Sequence, residues 1–123
     1  MTVKLIPHKP DRIIGIEIDG WIDAEDIERL IKLIEPKIDQ NHKLSIYAEV
    51  NDWKGMSLKA FIEDLQFGLK HINDFEKEAI VSDNKWLEAL SAIGNSLFSG
   101  IEVKHFTPDR KDLALKWLGV GEQ

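Results

Sequence analysis

The strongest constraint in this chain is an alternation. Short runs rich in β-branched residues take turns with longer stretches whose apolar residues recur every three or four positions. The first pattern fits a strand, whose successive side chains point to opposite faces, and the second fits a helix with one apolar stripe. Residues 12–19, Arg-Ile-Ile-Gly-Ile-Glu-Ile-Asp, form the clearest strand and meet a turn signal at Gly20. Val3 to His8 supplies a partner strand. Pro7 and Pro10 suit the bend between the two, where a missing backbone donor is tolerated.

The spacing predicts a helix from Asp23 to about Gln40, with Ile27, Leu30, Ile31, Ile34 and Ile38 on one face. Asp23 can accept hydrogen bonds from the free amides of the first turn, and Glu25 and Asp26 suit its positive end. Pro36 falls inside this pattern, so a bend is expected there. Lys43 to Val50 reads as the next strand, with Leu44, Ile46, Ala48 and Val50 on one side and Ser45, Tyr47 and Glu49 on the other. Residues 51–56 read as a loop. Ser57 caps a second helix whose expected core stripe is Leu58, Phe61, Ile62, Leu65, Leu69 and Ile72.

Glu78 to Ser82 is a short strand, and Asp83 or Asn84 caps a third helix with Trp86, Leu87, Leu90, Ile93 and Leu97 on its apolar face. Ile101 to Phe106 alternates as a last strand. Thr107-Pro108 then opens a final helix anchored by Ala114, Trp117 and Leu118 and ended by Gly119. Strands alternating with helices imply right-handed crossovers, hence an α/β domain over residues 1–123. The expected architecture is a mainly parallel sheet of about five strands with an antiparallel N-terminal edge strand and about four helices. Because two of the strands alternate in polarity, one sheet face should be covered and the other partly open, with Glu17, Tyr47 and Glu49 on the open side.

Composition narrows the function. A chain of 123 residues with 43% hydrophobic and 31% charged side chains suits one folded domain. The absence of cysteine excludes disulfides, thiolate metal sites and cysteine nucleophiles. The net charge of -6 disfavours nucleic acid as the main partner. It is unevenly placed, since residues 13–103 carry 9 basic and 18 acidic groups while both ends are slightly positive. No apolar stretch is long enough to span a membrane, and the N-terminus lacks the apolar run of a secretory signal, so a cytoplasmic location is the expectation.

Several local features resemble one family. They are Gly20-Trp21 ending the early strand, Asp23-Ala24-Glu25-Asp26 opening the helix, and Asp52-Trp53-Lys54-Gly55 after the next strand. Asp64-Leu65, His71, Ala79-Ile80-Val81-Ser82-Asp83 with Trp86, Phe106 and the closing Ala114-Leu115-Lys116-Trp117-Leu118 follow in order. This series is similar to the SpoIIAA-like branch of the STAS domains. The resemblance implies a non-enzymatic binding or regulatory module, comparable in fold with the lipid-carrying CRAL-TRIO proteins. Antagonist-type members present a phosphorylatable Ser or Thr next to an Asp after the third strand. Residues 51–57 hold no such pair; Ser57 is the only hydroxyl, and its capping role accounts for it without phosphorylation.

Candidate chemistry is sparse. Asp19, Asp52 and Asp83 each follow a strand and could converge on Mg²⁺, although Asp is equally at home in turns and caps. Asp64, Phe67, Gly68, His71 and Phe75 form a second stripe on the second helix. Asp64 and His71 on it could serve as acid and base, yet they lie roughly 10 Å apart along the axis. No glycine-rich phosphate loop, nucleophile elbow or metalloprotease pattern is present. Trp21 and Trp53 fall after strands, where they could line an apolar pocket or a partner surface. The sequence therefore reads as a binding module for a protein partner or a small apolar ligand, with no cofactor. Trp21, Asp52, Trp53, Ser57, Asp64, His71 and Asp83 are its candidate surface, and a homodimer is compatible with a half-open sheet. The alternatives are a CRAL-TRIO-type lipid carrier and a small enzyme using Asp64 and His71 or the Asp19, Asp52 and Asp83 group.

Overall fold

Every crossover in this protein sets the next strand beside the previous one, so the sheet is laid down in chain order. The computed structural model describes residues 3–6, 12–38, 42–85, 87–89, 91–92 and 100–120. The strands are β1 (Val3–Ile6), β2 (Ile13–Ile22), β3 (Leu44–Met56), β4 (Phe75–Val81) and β5 (Glu102–Phe106), in the order β1-β2-β3-β4-β5. β1 runs antiparallel to β2, and the remaining pairs are parallel. Helices α1 (Ala24–Ile34) and α2 (Leu58–Lys70) join β2 to β3 and β3 to β4. Residues 85, 87–89 and 91–92 are helical between β4 and β5, and α3 (Lys111–Leu118) closes the chain. The expected α/β architecture, with its antiparallel edge strand, is the observed one.

Strand order dictates where the helices go. Right-handed crossovers that always advance in one direction deposit their helices on the same face of the sheet. Ile27 and Ile34 of α1, Ala60 of α2 and the even-numbered Ile14, Ile16 and Ile22 of β2 accordingly pack together, with Leu30 of α1 against them. Only α3, which follows the last strand, is free to return to the opposite face, where it covers Ile13, Tyr47, Ala79, Val81 and Phe106 with Ala114 and Leu118. The expected open face is thus occupied at Tyr47, which is 1% exposed. Glu17 and Glu49 do project there, but each meets a lysine: Lys4 at 3.1 Å and Lys111 at 2.8 Å. The carbonyls ending α3 are tied down as well, since Arg12 donates to Leu118 and Lys77 to Trp117.

Four boundaries differ from the sequence reading, each for a local reason. β2 does not stop at Gly20, and residues 51–56 are strand rather than loop. Gly20, Asp52 and Gly55 have φ of 78°, 46° and 108°, the left-handed values of a bulge. Beyond it pairing resumes, with Trp21 opposite Gly55 and Ile22 opposite Met56. Turn-forming residues here bend two strands without ending them. α1 stops at Ile34, because Pro36 begins a separate 3-10 turn over Glu35–Lys37 instead of kinking one long helix. β4 begins at Phe75, ahead of the expected Glu78.

A further difference concerns α2. Its expected core stripe is largely exposed: Leu58 74%, Phe61 46%, Ile62 43% and Leu69 55%. Ala60 is its one buried residue, and the helix packs chiefly against α1 rather than against the strands. Caps agree better with expectation. Asp23 and Asp26 form a reciprocal capping box at 3.0 Å, and the Ser57 hydroxyl accepts from Ala60 at 3.1 Å. Asn84 rather than Asp83 caps the next helical stretch, accepting from the Leu87 amide. Trp86, Leu90, Ile93 and Leu97 of its expected apolar face lie outside the described residues.

Candidate functional site

Ligands of open α/β sheets usually lie at a switch point, where the strand order reverses and a crevice opens at the carboxyl ends. This sheet never reverses. Its space opens elsewhere, between the helices and the sheet face they cover, as a cavity of about 360 Å³. The floor is Ile16, Ile18, Ile46 and Ala48 of β2 and β3. Leu30 and Ile31 of α1 form one wall, and Phe61, Leu65 and Phe67 of α2 form the other. Trp53 and Met56, on the extension of β3 past the bulge, line it too.

Two small residues add to the room in this cavity. Ala48 is a small side chain on the floor, and Gly68 sits in α2 with nothing within 4 Å of the position a Cβ would take. Glycine inside a helix costs roughly 0.5–1 kcal/mol relative to alanine. A wall standing away from the sheet, lined by a residue that weakens its own helix, leaves room for an apolar guest.

Two charged side chains line this apolar space, Asp64 from α2 and Glu78 from β4. Glu78 follows from the alternation of β4: Ala79 and Val81 face α3, so Glu78 faces the helices of the other side. As whole residues, Asp64 is exposed to solvent and Glu78 is half-buried, and both carboxyls border the apolar lining. Burial raises the Asp64 carboxyl to about 6. Burial, followed by the nearby Asp64 charge, raises Glu78 to about 7. Neither has a hydrogen-bond or ion-pair partner among the described residues.

The remaining sequence candidates scatter. Trp53 lines the cavity as an apolar wall should, whereas Trp21 lies outside it, with its ring edge against Gly55 and 49% of its surface exposed. Asp52 is an exposed bulge residue paired with Lys54 at 3.6 Å, and Asp19 and Asp83 are exposed as well. Among the described residues no group of three or more His, Asp or Glu is placed to hold a metal ion, so Asp19, Asp52 and Asp83 do not converge. His71 does not partner Asp64. Its Nδ1 lies 2.7 Å from Asp74, its Nε2 faces Glu35 at 4.0 Å, and its ring packs at a tilt against Phe67. Ser57 is an N-cap.

Glu78 was not singled out from the sequence, although a signal for it existed. Read at period two against the neighbouring strands, it is a carboxylate on a face otherwise given to Ile, Leu and Ala, where an acid is rare. A second, more open cleft of about 740 Å³ lies between β5 and α3. Lys104, Arg110 and Lys116 there account for the positive C-terminal end of the chain, with Asp109 and Glu88 among them.

A sheet in chain order, crossover helices on one face and a returning helix on the other define a small α/β domain with an apolar cavity. The sequence pattern of the SpoIIAA-like family matches residues 13–119, and the chain belongs to that family. An uncharacterised protein of Shewanella loihica PV-4, whose crystal structure has a SpoIIAA-like fold, is similar to it with a TM-score of 0.76. The two share 24% sequence identity over 95% of this chain and 92% of the other, a likeness of fold. A comparison with functionally curated proteins returned no match. Among the described residues no helix is long and apolar enough to cross a membrane.

Proposed function

We propose that the protein is a non-enzymatic binding module that takes up a small apolar ligand between α1, α2 and the sheet. The observation that carries this reading is the cavity itself, about 360 Å³ with predominantly aliphatic and aromatic walls. Small-molecule sites span roughly 300–1,000 Å³, so the volume suits a compact guest better than a two-chain lipid. A CRAL-TRIO-type carrier is therefore the less favoured alternative. An enzyme built on Asp64 and His71 is disfavoured too, because His71 is engaged with Asp74.

Tryptophan fluorescence tests the reading, since Trp53 lines the cavity. Adding 1-octanol should give a saturable change that the Trp53→Phe variant loses. Gly68→Leu, whose new side chain enters open space, should block it in a folded protein. An unsaturable response in the wild type, or one untouched by Gly68→Leu, removes the proposal.

The outward side of α2 supports a second reading, a protein contact or homodimer. Leu58 and Leu69 stand 74% and 55% exposed, well beyond what a lone helix needs. Sedimentation equilibrium of the wild type beside Leu58→Lys decides it: a dimer that dissociates in the variant supports this reading, and a wild-type monomer ends the homodimer.

A further inference from the structure

The two carboxyls inside the cavity constrain the chemistry of its guest. Asp64 and Glu78 come from different elements, α2 and β4, and both line the same cavity. The other described residues that line the cavity are all apolar, from Leu30 and Ile31 of α1 to Phe75 of β4 and Val103 of β5. No lysine, arginine or histidine faces the pair among them. Two like charges in apolar surroundings are costly unless a proton or a cation neutralises them.

The walls discriminate between the available cations. A bare divalent ion such as Ca²⁺ takes six to eight oxygen ligands, and this site offers two carboxyls amid hydrocarbon. A fatty acid would add a third negative group to two that already repel each other. An organic ammonium instead brings three donors for the carboxyls and a hydrocarbon body for the isoleucine floor.

Resting on the apolar-ligand reading above, we infer that the cavity accepts an amphipathic amine, its ammonium head held between Asp64 and Glu78 and its apolar body against β2, β3 and α1. The acids sit where head and tail chemistry meet. Their ordinary partner is then supplied by the guest and not by the protein.

Isothermal titration with three chain-matched probes tests this: n-octylammonium, 1-octanol and octanoate, at about pH 8, where both acids are ionised. The amine should bind at least about tenfold more tightly than the alcohol, the order expected of a charge-assisted contact, with octanoate weakest. Asp64→Asn and Glu78→Gln should each erode the preference for the amine while leaving octanol affinity in place. The wild type alone gives a second readout. Its affinity for the amine should rise from about pH 5 to about pH 8 as the carboxyls lose protons, while that for octanol does not. Octanol binding as tightly as the amine, octanoate binding best, or a flat pH profile for the amine each overturn the inference and leave the apolar-ligand reading standing. If neither octanol nor octylammonium binds, both fall together.

Discussion

The two faces of this one sheet have been treated in opposite ways. On the α3 face, Tyr47, Ala79, Val81, Ala114 and Leu118 are all nearly sealed from solvent, and cations from β4 and the N-terminal side bind the last carbonyls of the helix. On the α1–α2 face, a helix with a longer apolar pattern buries one residue and leaves a cavity. Apolar content does not explain the difference. The shorter helix, eight residues against thirteen, is the better seated. What differs is what lines each side: Leu118 and Ala114 fill theirs, whereas Gly68, Ala48 and two carboxyls line the space on the other. One face is closed by its helix, and the other keeps a space beside its own buried core.

The largest expected effect tests that division directly. Leu118→Ala removes a side chain 2% exposed in the closed face and should cost about 2–5 kcal/mol by urea denaturation. Leu65→Ala, at 36% exposure on the wall of the cavity, should cost less than about 1 kcal/mol, as substitutions away from a filled core do. Equal losses would mean that α2 is seated as firmly as α3, and the comparison would collapse.

A smaller effect sharpens the comparison through pH. Asp64 and Glu78 have carboxyls raised to about 6 and about 7, so the folded protein holds protons that the unfolded chain has already released. Stability without ligand should therefore fall as pH rises through that window, and level off above it. Glu78→Gln removes one of the two charges. It should stabilise the ligand-free protein by on the order of 1 kcal/mol at about pH 8 and change little at about pH 4, where the acid is neutral anyway. Thermal melts at both pH values check the sign; a variant less stable than wild type at the higher pH would show that Glu78 supports the fold as a charged group. The α3 face offers the control, since Glu49 is paired with Lys111 at 2.8 Å.

How much of this was legible in the sequence follows from what each signal depends on. Periodicity and capping are local, so the five strands, the cap at Ser57 and the end of the last helix at Gly119 could be read from spacing alone. Family likeness was legible too, because it rests on short pieces in series. Seating is not local. The stripe from Leu58 to Leu69 has the spacing of a core helix, and nothing within it states that its neighbour is α1 rather than the strands. The bulge at Gly20, Asp52 and Gly55 was misread for a related reason: glycine and aspartate supply positive φ both to turns and to strands that continue. Asp64 was recognised as noteworthy but matched with His71 on its own helix, when its neighbour in space is Glu78, fourteen positions on in sequence and on another element.

The smallest expected effect bears on why the cavity persists. Gly68 has no unusual φ and no atom within 4 Å of its missing Cβ, so alanine fits there without strain. Alanine also restricts the unfolded chain and favours helix, and Gly68→Ala should stabilise the protein by about 0.5–1 kcal/mol in urea denaturation. A single methyl group takes up little of a cavity of about 360 Å³, so octanol should still bind, in contrast to Gly68→Leu. The outcome separates two explanations of the glycine. If Gly68→Ala stabilises and binding survives, the residue is there to keep space open and not to satisfy the backbone. If it destabilises instead, the wall of α2 is seated more closely than its exposed leucines indicate, and the contrast between the two faces is smaller than the structure gives it.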